Sequence, residues 1–122
     1  QLYLIKKYNL KKNNVKIISC KTIRDFNKLA FSSRNKLLSK NELIKAGKIS
    51  KEIFLFKKKL FKSKDTKKII YKKKKELIDL FNIKFDYFEL RDKFNLKIFL
   101  KAEYSKLFIA YYINRVRLID NF

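Results

Sequence analysis

Ser32, Ser33 and Arg34 stand together in the stretch Leu29-Ala30-Phe31-Ser32-Ser33-Arg34-Asn35, two adjacent hydroxyls beside a guanidinium in a short turn-like segment. These are donors for an anion. Arginine offers phosphate a rigid planar fork of N–H groups, and the hydroxyls and nearby backbone N–H groups can take the remaining oxygens. Taken alone, the tetrapeptide Ser-Ser-Arg-Asn reads more readily as a polar loop capping the next helix than as a site.

The surrounding elements would have to position that turn. Leu2, Ile5 and Tyr8 fall at helical spacing among Lys6, Lys7 and Lys11, the tail of a helix from Gln1 to about Lys11. Lys12, Asn13 and Asn14 break it, and Val15 to Cys20 is apolar and β-branched, as a buried strand is. A helix, a tight break and a strand give the last helix-strand remnant of a Rossmann-like α/β domain, with the rest of its sheet not in these residues. Open α/β sheets place ligands at such strand ends, and the loop here is Lys21 to Asn35.

Ser39 to Glu42 fits a capping box, followed by Leu43, Ala46, Ile49, Ile53, Phe56 and Leu60 as one inward stripe of a helix reaching about Phe61. Gly47 within it costs about 1 kcal/mol relative to alanine. Ser63 or Asp65 can cap a second helix, about Thr66 to Phe81, with Ile69, Ile70, Leu77, Leu80 and Phe81 inward. The run Lys72 to Lys75 reads as a solvated face with one stem lying over the core. From Phe85 the period changes to two. Phe85 to Arg91, Leu96 to Leu100, Lys106 to Ile113 and Val116 to Ile119 are the strand candidates, although Asp86 falls on the side of Phe88 and Leu90. The fold class is therefore α+β, two helices plus a small antiparallel sheet after the α/β remnant, with a boundary near Asn35 to Ser39. No internal repeat and no Gly/Pro/Ser linker divides the chain.

Composition limits the partners. The 122 residues hold 33 Lys and Arg against 11 Asp and Glu, net +22, yet 47% are hydrophobic, too many for a disordered basic tail. Such charge suggests nucleic acid, but 28 of the cations are Lys, spread over the whole chain, and base-specific contacts favour Arg. Lys, Asn, Ile, Phe and Tyr make up 72 residues and are the types that AT-rich codons encode, a second source for the lysines. Cys20 is the only cysteine, so no intrachain disulfide can form and a reducing compartment, the cytoplasm, is expected. Its place at a strand end suits a core residue. The absence of His excludes a Cys/His nucleophile pair or a His metal site within this chain. The longest apolar run, Leu107 to Ile113, falls far short of the ~20 residues that span a bilayer. The first residue is Gln and the chain opens directly into an amphipathic pattern, the look of a longer protein's interior.

Thr22-Ile23-Arg24, Leu29 to Asn35, Leu38-Ser39 and Arg117-Leu118-Ile119-Asp120-Asn121 together resemble the pantothenate synthetase (pantoate–β-alanine ligase) family. Its segments read T-V-R-E, G-L-A-M-S-S-R-N, a Leu-Ser helix start and R-L-I-D-N, and Asp86-Tyr87 is similar to a D-Y that opens a strand there. Order and spacing agree over essentially the whole chain. The resemblance implies the C-terminal portion of a ligase that activates the pantoate carboxylate with ATP, forms pantoyl adenylate and lets the β-alanine amine displace AMP. By position it assigns ATP binding to Ile23, Phe31, Ser32, Ser33 and Arg34, and pantoate binding to Gln1. It implies that residues 1–37 end the nucleotide-binding domain and 38–122 form a lid over it, that Mg2+ accompanies ATP, and that the enzyme is a homodimer through its N-terminal domain. The family's catalytic His-x-Gly-His and its Gly-Glu-Lys-Asp segment match nothing here, so the isolated chain is expected to be inactive. Lys21 replaces a usual Pro, Asn27-Lys28 a usual Asp-Gly, and Phe31 a usual Met or Leu. A Gly would let backbone approach a nucleotide closely. The rival readings are a basic nucleic-acid-binding module and a decayed, inactive relic of the ligase. For Arg117 and Asp120 the reading is a structural pair or a bond to loop backbone.

Overall fold

A computed structural model describes residues 2–12, 15–60, 65–99 and 101–122 of the chain. Helix α1 spans Leu2–Lys12, and a 3-10 turn at Ser33–Leu37 leads into α2, Lys40–Leu60. Helix α3 is Thr66–Phe81, and strands β1 (Lys84–Asp92), β2 (Ser105–Ile113) and β3 (Val116–Asn121) form one antiparallel sheet in the order β1-β2-β3. The α+β class expected for this part of the chain is the one observed.

Helix α2 starts at the anticipated capping box. The Ser39 N–H donates to Glu42 Oε2 at 2.7 Å and the Glu42 N–H to Ser39 Oγ at 3.3 Å, which satisfies two of the donors left open at a helix start. Its inner stripe is Ala46, Ile49, Ile53, Phe56 and Leu60, joined by Gly47 and Ser50, whereas Leu43 stays on the exposed side. Asp65 caps α3 by accepting the Lys68 N–H at 3.0 Å; the other capping candidate, Ser63, lies outside the described residues. Leu77 is fully buried and Ile69, Ile70 and Phe81 partly so, but Leu80 is 63% exposed. Its position puts it on the flank of the helix that the sheet does not reach. Within the run Lys72 to Lys75, the one buried member is Lys73, whose ammonium meets Glu52 Oε2 at 2.8 Å and Glu76 Oε1 at 2.7 Å and so links α2 to α3.

The sheet corrects two expectations. Asp86 faces out because a bulge between Phe85 and Tyr87 absorbs one residue, so that Phe85, Phe88 and Leu90 all reach the core. Phe85 then lies 5.1 Å from Phe88 and 5.8 Å from Tyr111, centroid to centroid. Leu96 to Leu100 is not a strand among its described residues. The Asp92 carboxylate takes the N–H groups of Phe94 and Asn95 at 2.7 and 2.9 Å and forces a turn, Leu96 adopts φ 61, and only Ile98 bridges back to Arg91. The left-handed Asn114 (φ 50) makes the turn between β2 and β3. Val15 to Cys20 also forms no strand. No neighbouring strand among the described residues offers it a ladder, and Ile18 is left 76% exposed and Cys20 exposed, not buried. No helix among the described residues is long and apolar enough to cross a membrane.

Burial, not sequence stripe, should decide the energetics of the two helices. Ile53→Ala, at a fully buried site, is expected to lower unfolding stability by about 3 kcal/mol in urea titration. Leu80→Ala should change it by no more than about 0.5 kcal/mol. Equal losses for the two would contradict this packing.

Candidate anion-binding turn

Local bonds fold residues 21–35 into a compact loop before any distant contact is made. Arg24 and Ala30 form an antiparallel bridge, and the Phe31 N–H donates to the Ile23 carbonyl at 3.1 Å. Asp25 closes the tip: its carboxylate takes the Leu29 N–H at 2.9 Å, its carbonyl the Lys28 N–H at 3.0 Å, and its own N–H reaches the Leu29 carbonyl at 3.0 Å. Lys28 adopts the left-handed conformation (φ 68) that glycine takes without strain, so the shape expected of a Gly at this position is kept by a lysine. The loop presses Leu29 into the core and Asn27 onto α2. A Cβ at Gly47 would stand 3.1 Å from Asn27 Cβ, which accounts for the chain's single glycine in the middle of a helix.

A buried ion pair then fixes the loop to the last strand. Arg24 Nη1 and Nη2 donate to the two oxygens of Asp120 at 2.6 and 2.8 Å, and to the carbonyls of Lys28 and Asn121 at 2.8 and 2.9 Å. The two side chains are 15% and 8% exposed, and the guanidinium carbon sits 4.4 Å from the centroid of the Phe122 ring. The expected Arg117–Asp120 pairing is therefore replaced: Asp120 takes Arg24, and Arg117 Nε donates to Asp86 at 2.6 Å. Strand geometry is the reason. Side chains alternate between the two faces along β3, and an odd number of positions separates Arg117 from Asp120, so the two leave the sheet on opposite sides.

The turn that follows presents the candidate donors. Ser32 caps the 3-10 helix, its Oγ accepting the Arg34 N–H at 3.2 Å, and Asn35 Nδ2 ties the turn back to the Ala30 carbonyl at 3.0 Å. Phe31, Ser32, Ser33 and Arg34 are exposed and adjacent, and Ile23 lies exposed on the opposite arm of the same loop. Among the described residues the Arg34 guanidinium has neither an ion pair nor a hydrogen bond, as is also true of Arg115 in the β2–β3 turn, whereas Arg24, Arg91 and Arg117 are each spoken for by a carboxylate. Gln1 lies outside the described residues. Ser32 and Arg34 border a cavity of ≈ 20 Å3 floored by Ser50, Tyr111 and Asp120, room for about one water. An anion would therefore rest on the surface of the turn, not within that cavity. No group of three or more Cys, Asp or Glu among the described residues could hold a metal ion, so these residues do not by themselves make a Mg2+ site.

Arg24 and Asp120 both sit in recognisable motifs, but 96 positions separate them and no spacing signal joins them. Tyr111 carries no signal beyond being one aromatic in an apolar run. Burial pushes its phenol above the usual 10.0, with the Ser50 hydrogen bond acting the other way and the Asp120 carboxylate adding to the rise. Lys73 is also raised: burial opposes its charge, but the bonds to Glu52 and Glu76 outweigh that.

Asp120→Asn should cost about 3 kcal/mol in urea unfolding, because it leaves the Arg24 charge buried without its partner. The raised groups set an alkaline limit. An unfolded tyrosine ionises near 10.0 and the folded Tyr111 only above that, so its contribution is complete below pH 10.0 and declines as pH climbs past it. Lys73 acts in the same sense above its ordinary 10.5. Tyr111→Phe is accordingly expected to flatten the fall of thermal midpoint with pH above 10.0, and an unchanged slope would refute the assignment.

Comparison with known proteins agrees with the fold and the motifs. Residues 1–122 match the family model described as pantoate-beta-alanine ligase. The pantothenate synthetase of Flavobacterium psychrophilum is 34% identical over 125 residues, covering 99% of this chain and 44% of the relative. That of Clostridium acetobutylicum is 39% identical over 114 residues, covering 89% and 40%. The crystal structure of pantothenate synthetase from Thermus thermophilus superposes with a TM-score of 0.84 at 19% identity, over 99% of this chain and 45% of that one, which speaks to the fold alone. The chain thus spans less than half the length of these relatives. With the family model matched from first residue to last, the chain belongs to the pantoate–β-alanine ligase family.

Proposed function

We propose that this chain is the C-terminal part of an ATP-dependent ligase that condenses pantoate with β-alanine to give pantothenate. In that reaction a pantoate carboxylate oxygen attacks the α-phosphorus of ATP, and the bond to pyrophosphate breaks as pantoyl adenylate forms. The β-alanine amine then adds to the acyl carbon, and AMP leaves as the amide forms. Both steps move negative charge onto phosphate oxygens, so donors fixed there in advance lower the barrier.

The observation that carries the reading is an exposed guanidinium, Arg34, left without a protein partner among the described residues, beside Ser32 and Ser33 on a loop fastened by a buried ion pair. Ser32, Ser33 and Arg34 hold the ATP phosphates, with Phe31 at the edge of that site. The Ile23 backbone meets the adenine, and Gln1 hydrogen-bonds pantoate. Residues 1–37 complete the nucleotide-binding domain and 38–122 close over it as a lid, which orients the amine and excludes water. The catalytic histidine comes from outside these 122 residues, as does the surface of a homodimer, and the enzyme works in the cytoplasm. Mg2+ would reach the site with the nucleotide's own phosphates as its ligands.

In the full-length gene product, Arg34→Gln is expected to reduce kcat/KM for ATP by about 100-fold. Its urea midpoint should be unchanged, since the side chain supports no other described residue. The 122-residue chain alone should yield no pantothenate. Full activity in the variant, or turnover by the isolated chain, would overturn the proposal.

A further inference from the structure

Across the Arg24–Asp120 pair from the Ser32–Arg34 turn, an open cleft of ≈ 530 Å3 is lined by Lys21, Lys57 and Lys106, with Arg24 beside them. A neighbouring cleft shares Lys106 and adds Lys6 and Lys93. The five lysines come from five places in the chain: α1, the loop after Cys20, α2, the residue after β1 and the start of β2. No Asp or Glu side chain lines either cleft. Among the described residues Lys6, Lys21, Lys57 and Lys106 have no ion pair, and Lys93 is held only by the Glu103 carbonyl at 2.8 Å.

The ion pairs among the described residues join Glu52 and Glu76 to Lys73, Asp86 to Arg117, Glu89 to Arg91 and, at the edge of this cleft, Asp120 to Arg24. In the cleft, Lys21, Lys57 and Lys106 stand together with no Asp or Glu side chain in the lining. Lys57 is half-buried, and burial together with the charges of Lys106, Lys93 and Arg24 holds its ammonium below the usual lysine value. Like charges gathered around one concave space focus a positive potential that a multiply charged anion relieves. Lysine suits this as a compact charge with rotatable donors, with no need for arginine's planar fork.

We propose that the cleft between α1, Lys21, α2 and β2 binds a chain of two or more phosphates, with Lys57 and Lys106 as the principal contacts and Lys21 closing the side. Lys21, Lys57 and Lys106 meet around one space instead of tracking a stripe, which favours a short phosphate chain over the extended backbone of a nucleic acid. This does not depend on what the Ser32–Arg34 turn binds.

Titration calorimetry of the 122-residue chain with inorganic tripolyphosphate, at fixed salt, tests the site. Saturable binding is expected, weakened about tenfold in the double variant Lys57→Gln/Lys106→Gln, which corresponds to about 1.4 kcal/mol. The double variant Lys67→Gln/Lys75→Gln removes the same charge from the outer face of α3 and should weaken binding less than about twofold. Lys57→Arg/Lys106→Arg keeps the charge and should keep the affinity, which guards against a folding defect in the glutamine variant. Equal weakening by the two glutamine pairs would mean bulk charge only and would overturn the proposal. So would the absence of saturable binding, or tighter, Lys57-dependent binding of a single-stranded oligonucleotide.

Discussion

Burying Arg24 against Asp120 strips two charges of water, and that loss is offset only because the geometry leaves nothing unmet. The guanidinium places all its terminal N–H groups, two on the carboxylate and two on the carbonyls of Lys28 and Asn121. The carboxylate also takes the Asn121 N–H at 2.7 Å. One cation therefore fixes a loop tip, a strand end and an ion pair at once. The loop between Ile23 and Asn35 has its own short-range bonds, but its seat on the domain comes from this contact and from Leu29 in the core. Remove the fork, and the Ser32–Arg34 turn keeps its local form without a defined position.

The rest of the fold supports that contact indirectly. Helices α2 and α3 cover one face of the sheet and bring Ile49, Ile53 and Leu77 onto Leu107, Ile109 and Tyr111. That packing sets the position of β2, and β2 sets β3 through a register in which Ile109 faces Asp120. Asp120 thus inherits its place from the hydrophobic core, two strands removed from the helices. The close approach of Asn27 to Gly47 does the same for the other partner, since it brings the loop down onto α2.

Much of this is legible in the sequence wherever a signal is local. The Ser39–Glu42 cap, the Asp65 cap, the buried member of the lysine run and the alternation of β2 are all short-range features, and the structure carries each of them. The failures have two causes. Val15 to Cys20 has strand composition but no ladder partner among the described residues, Leu96 to Leu100 is overruled by the side chain of Asp92, and the alternation at Asp86 breaks because a bulge shifts the register. In the first and last cases the outcome depends on a neighbour that a window of sequence does not contain, whereas the Asp92 turn is local and competes with the apolar pattern that follows it. The candidate turn divides in the same way. Its own donors can be read off Ser32, Ser33 and Arg34, but the pair that seats them is a fact of tertiary structure.

The separation of that pair also has a meaning in time. Arg24 and Asp120 stand 96 positions apart, and the entropy of closing so long a span must be met before the contact contributes anything. Contacts of that kind are expected to form after local helices and hairpins. The Ser32–Arg34 turn, seated by this contact, is then expected to be among the last features to be positioned as the chain folds.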